Sequence, residues 1–97
     1  MNIRYASKEL QECAEDERKA TRKWGSIVGP WYPRRIIVLA SASNFARLYE
    51  LAPLHLHKLA GADDLYAVAL QGRWRIVLRK VSETEIIVQE VSNHYGD

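Results

Sequence analysis

Three histidines and two runs of bases are the side chains in this sequence best suited to chemistry. The histidines are His55, His57 and His94. Histidine titrates nearest neutrality, so it can give or take a proton at physiological pH. The bases cluster: Arg18, Lys19, Arg22, Lys23, Arg34 and Arg35 occupy one stretch without an acid, and Arg73, Arg75, Arg79 and Lys80 another. Guanidiniums match phosphate oxygens bidentately and stack on bases, which ammonium groups do less well. Clustered bases are the footprint of contact with phosphates. A solvated helix face and charged strand ends produce the same pattern, and a net charge of +2 does not decide between the two. A metal site would require all three histidines to converge with a carboxylate. The single cysteine, Cys13, rules out an internal disulfide and leaves no Cys/His spacing for zinc.

The elements that must position these groups change period midway along the chain. Asn2 to Ala6 reads as a short strand. Ser7 suits the N-cap of a helix running to about Trp24, with Gly25 as its stop. Leu10, Ala14, Thr21 and Trp24 recur at helical spacing, but Glu17 interrupts the apolar stripe. Pro33 suits the first turn of a second helix that opens with Arg34 and Arg35, and Ser43 the cap of a short third over 44–51. From Leu54 the period becomes two. His55 to Leu59 is extended; Leu65–Leu70 and Arg73–Lys80 form a hairpin across a two-residue turn at Gln71-Gly72; Glu85–Val91 is the last strand. This order predicts one α+β domain over residues 1–97, a short N-terminal strand and helices packed on one face of a twisted, mainly antiparallel sheet.

Alternation puts Trp74, Ile76 and Leu78 on the packed face of the hairpin's second strand, and Arg73, Arg75, Val77 and Arg79 on the other. Three guanidiniums would then stand in line on steps of about 7 Å, close to the phosphate repeat of an extended single strand, with Val77 occupying the step between Arg75 and Arg79. The same charges would also defend an exposed edge strand against aggregation.

The C-terminal half, HLHKLAGADDLYAVALQGRWRIVLRK followed by EIIVQEVSNHYGD, resembles the RelE/ParE superfamily of toxins, and within it the HigB branch. The resemblance rests on His57, Leu59 and Gly61, then Gly72, Trp74, Arg75 and Ile76, then His94. It covers roughly residues 54–97; the helical half agrees in layout. The resemblance implies a metal-free, cofactor-free endonuclease that cleaves messenger RNA in the ribosomal A site. It also implies a cognate antitoxin, a helix-turn-helix protein like HigA, through which alone the toxin would meet operator DNA. By position, His57 and His94 would be the acid–base pair and Arg75 the phosphate clamp. Arg73, Arg79, Lys58, Lys80 and Tyr95 would be auxiliary RNA contacts, and Arg18, Lys19, Arg22, Lys23, Arg34 and Arg35 would face the ribosome. Where the branch carries Asp-Tyr before the last histidine, this chain has Ser92-Asn93. Two alternatives therefore stay open: a decayed toxin that only binds its antitoxin, and a gyrase inhibitor like ParE, against which the paired histidines argue.

With hydrophobic residues at 47% and charged residues at 27%, the composition is that of a folded domain rather than a disordered chain. The first residues lack the apolar core of a secretion signal, and the longest apolar run, Ile36 to Ala42, is broken by Ser41 and too short to span a bilayer. A cytoplasmic protein with no membrane partner is expected.

Overall fold

Asp16 divides the first helical segment in two. The computed structural model describes residues 1–93. After β1 (Asn2–Tyr5), Ser7 accepts a hydrogen bond from the Leu10 N–H and caps α1 (Lys8–Glu15). Asp16 is extended (φ −141°, ψ 106°), and its carboxylate accepts from the Arg18 N–H to cap α2 (Glu17–Val28). The single helix expected to Trp24 is thus two, because an Asp that can bond the backbone two residues on competes with helix continuation. The misplaced Glu17 is explained with it: the helical period restarts there. Gly25 is the expected break, at φ 90° inside α2, and one further turn follows.

Pro33 lies in the first turn of α3 (Trp31–Ser41), as expected. The next helix, α4 (Phe45–Leu48), is shorter than expected and is capped by Asn44 rather than Ser43. Its exposed N–H groups are met from across the chain: Glu83 accepts from the Phe45 N–H through its carbonyl and from the Ala46 N–H through its carboxylate. A 3-10 turn over Ala52–Leu54 leads into β2 (His57–Lys58). The meander β3 (Leu65–Ala69), β4 (Arg75–Ser82) and β5 (Glu85–Ser92) follows.

The sheet has the order β1-β5-β4-β3-β2, antiparallel except for β1, which runs parallel to β5 with Ile3 opposite Ile86 and Tyr5 opposite Val88. This is an α+β architecture with a mixed sheet. Leu10, Cys13, Ala20, Tyr32, Ile36, Leu39, Phe45, Leu48 and Leu54 from the helical segments share one core with Val68, Ile76, Leu78, Ile86 and Val88 from the strands. Every helix therefore packs on the same face.

Tyr32 is the largest fully buried side chain, and its hydroxyl donates to the Leu10 carbonyl at 2.9 Å. Burial pushes that hydroxyl's pKa up, so it remains a donor. Tyr32→Phe removes this buried bond, while the Leu10 carbonyl keeps its place in the α1 ladder, and is expected to lower stability by roughly 1 kcal/mol. Urea unfolding checks this; an unchanged midpoint would show that the bond contributes nothing.

Three irregularities set the sheet's register, one of them at Val81, which is left over where Lys80 opposes Ile86 and Ser82 opposes Glu85. The hairpin connection is three residues, not two: the Leu70 N–H donates to the Trp74 carbonyl, and the Trp74 N–H to the Gln71 carbonyl. The tight turns with two loop residues require a positive φ at the first of them, and Gln71 does not have one; of the pair only Gly72 does (φ 59°). In β5, Val77 opposes Glu90 while Leu78 opposes Val88, so Gln89 is an extra residue, a β-bulge.

Candidate functional site

The face of the sheet turned away from the helices carries the groups singled out above. Paired residues project to the same side, and the register defines three rows there. Leu65, Arg79, Ile87 and Arg4 form one, His57, Ala67, Val77 and Glu90 the second, and Ala69, Arg75 and Ser92 the third. His57 and Arg75 thus share a face, two strands apart and one step along. From a strand spacing of about 4.8 Å and a rise of about 3.3 Å per residue, their Cα atoms lie roughly 12 Å apart. That leaves room for a phosphodiester between the side-chain tips.

Each of the two is oriented by the chain beside it. His55 ends the 3-10 turn in the left-handed conformation (φ 47°, ψ 46°), uncommon for a side chain with a Cβ. Its carbonyl lies 3.1 Å from Nδ1 of His57. A carbonyl only accepts, so Nδ1 carries the proton and, in the neutral ring, Nε2 is left as the basic nitrogen. The ring itself is exposed. On Arg75, Nη1 donates to the carbonyls of Gly72 and Trp74, both at 2.9 Å, which ties its guanidinium to the hairpin connection.

Several expected groups are placed elsewhere. Arg73 belongs to the three-residue connection and not to β4, so the anticipated ladder of three guanidiniums does not form. Arg75 and Arg79 remain on the outward face with the buried Val77 between them, about 13 Å apart by strand rise. Arg79 is paired with Asp64. Lys80 points to the helix side, where it bonds Glu83 at 2.7 Å and lies 4.8 Å from the centre of the Phe45 ring. Donating to Glu83 raises the Lys80 ammonium pKa above its usual value, and accepting that bond lowers that of Glu83. Lys58 pairs with Tyr66 and so projects to the face opposite His57. His94 and Tyr95 lie outside the described residues.

The basic helical stretch is less bare than its sequence. Lys19 and Lys23 reach the acids of α1, Glu12 at 3.6 Å and Glu9 at 2.8 Å. Arg34 lies over the Trp31 ring, and Arg35 donates to the Leu70 carbonyl, tying α3 to the hairpin. Arg18 and Arg22 are exposed on α2.

Sequence reasoning missed Glu90, which stands exposed in the outward row diagonal to Arg75. Strict alternation from Ile86 carries it to the helix side; the bulge at Gln89 moves it out. Ser92 is buried directly opposite Arg75. Among the described residues no group of three His, Cys, Asp or Glu is placed to hold a metal ion, and no helix is long and apolar enough to cross a membrane. No protein-family model, curated protein or solved structure matches the chain.

Proposed function

We propose that this chain is a toxin of the RelE/HigB kind, a metal-free endonuclease that cleaves messenger RNA on the ribosome in the cytoplasm and is silenced by a cognate antitoxin protein. The observation that carries the reading is the outward face of the sheet, where an exposed imidazole with a defined tautomer and a tethered guanidinium stand about one phosphodiester apart, clear of the helices.

The chemistry follows from those two groups. Nε2 of His57 is the basic nitrogen, able to take the proton of a ribose 2′-hydroxyl as its oxygen attacks the adjacent phosphorus. Arg75 lies beside the phosphate and stabilises the charge that gathers on the phosphorane oxygens, without reorganising to do so. The bond from phosphorus to the 5′-oxygen then breaks, and that oxygen needs a proton, the role proposed for His94. The products are a 2′,3′-cyclic phosphate and a 5′-hydroxyl end.

Induced expression is expected to stop growth, with primer extension showing new 5′ ends inside translated codons and ligation assays showing those ends to be 5′-hydroxyls. Ends carrying a 5′-phosphate would rule out the 2′-hydroxyl route. A second reading, an antitoxin-binding module without catalysis, draws on Ser92, which puts a neutral side chain opposite Arg75. A folded product that leaves growth and messenger RNA untouched would select it.

A further inference from the structure

The proposed chemistry uses none of the groove that borders the sheet where α2 passes its end. Two lobes of about 510 and about 440 Å³ meet at a shared pair of indoles, Trp24 and Trp74. One lobe runs to the hairpin connection at Gln71 and Gly72, the other to Lys23 and the last residues of β5. The groove exists because β1 covers β5 only from Glu85 to Val88. Beyond that point β5 has β4 on one side and the groove on the other.

Three observations say what fits. Both indoles are only partly buried, packing on the core while lining the groove, so each presents aromatic surface to an occupant. Basic groups stand at both ends, Lys23 on α2 and the exposed Arg73 at the hairpin tip. Most directly, Glu90 and Ser92 line the groove and also belong to the outward rows, Ser92 opposite Arg75. The groove wall is therefore one strand, about 4.8 Å, from the residue proposed to hold the scissile phosphate.

We propose that this groove binds one unpaired nucleobase of the RNA strand being cut, stacked on Trp74 with Trp24 beside it. This rests on the nuclease reading and adds a recognition element to it. Stacking on aromatic side chains is the usual way a single-stranded base is held, because every base offers a π-face. The side-chain amide nitrogen of Gln71, at one end, supplies a donor to the base edge; its oxygen already accepts from the Gly72 N–H. Arg73 lies where a flanking phosphate would pass; at the other end Lys23 is already paired with Glu9.

Tryptophan fluorescence tests the assignment with the full chain and a 2′-O-methyl oligonucleotide, which lacks the attacking hydroxyl and is not cut. Trp31→Phe removes the third indole, which lies over Arg34 on α3. In that background the oligonucleotide is expected to quench the remaining emission. Trp74→Leu keeps an apolar side chain against the core and removes the aromatic face, and it is expected to weaken binding about tenfold, with Trp74→Phe intermediate. Binding seen by anisotropy without quenching overturns the inference and leaves the nuclease reading in place. So does a folded Trp74→Leu variant that binds and cuts as before. If Trp74→Leu does not fold, the quenching in Trp31→Phe alone decides. A wild-type protein that neither binds the oligonucleotide nor cuts RNA removes both.

Discussion

His57→Ala is expected to lower the rate of RNA cleavage by roughly 10²–10⁴-fold, the range for losing one positioned general base. Stability should hardly change. The ring is exposed on a two-residue edge strand, and its recorded bond is to the His55 carbonyl next to it. Surface substitutions of this kind usually stay within about 0.5 kcal/mol. Arg75→Ala is expected to cost a similar factor through loss of charge stabilisation, roughly 10²–10³-fold. Arg75→Lys should recover little, since an ammonium cannot reproduce the two-pronged geometry. The measurement is single-turnover cleavage of ribosome-bound messenger RNA, alongside thermal melting of each variant. A folded His57→Ala protein that still arrests growth would remove the imidazole from the mechanism. Full activity in Arg75→Lys would reduce the guanidinium to a point charge.

Gly29→Ala should have the largest effect on the fold. Gly29 has ordinary helical angles (φ −53°, ψ −48°), so backbone freedom is not the issue. A Cβ there would lie 2.4 Å from Cα of Thr21 and 2.6 Å from the carbonyl oxygen of Ala20, both backbone atoms that cannot swing aside. The turn that follows the kink at Gly25 folds back on the body of α2 at this point, and the segment carries Ala20, Val28 and, just beyond, Tyr32 into the core. Overpacking costs typically 1–3 kcal/mol when side chains can yield; against rigid backbone, roughly 3 kcal/mol or more is expected. Gly25→Ala is the control. It meets nothing within 4 Å, and its backbone (φ 90°, ψ 168°), in a region essentially reserved to glycine, alone opposes the change, for roughly 1–3 kcal/mol. Urea midpoints for the two variants should separate in that order. A Gly29→Ala protein as stable as wild type would mean that the kink in α2 can open at little expense.

The strand half of the molecule was legible because alternation is a local signal. It put Arg75, Val77 and Arg79 on one face and Ile76 and Leu78 on the other, and the β3–β4 register has them so. The places where it failed are those where one residue is added. At the hairpin, a Gly in second place reads as a two-residue turn; the φ of Gln71 decides otherwise, and Arg73 leaves the strand. At Gln89 a bulge exchanges the faces that follow, which is why Glu90 went unnoticed. In the helical half, Asp16 is a cap that could equally be a solvated helix residue, and the interruption of the stripe at Glu17 was the only sign of it. What remained wholly out of reach were the partners of the bases. Glu12 and Glu9 neutralise Lys19 and Lys23 across two helices, Asp64 meets Arg79 across the sheet, and Leu70 receives Arg35. Chain separation hides such pairs from any window of sequence.

The parallel pairing of β1 with β5 joins the first strand of the described residues to the last. Until residues 85–92 have been synthesised, β4 has one bare edge and β1 has no neighbour. An incomplete chain therefore holds open ladders ready to seize any passing extended peptide. Pairing β1 with β5 closes a loop that spans most of the described residues, which is costly in chain entropy and slow. A chain interrupted within β5 thus yields sticky fragments in place of a weakened version of this domain.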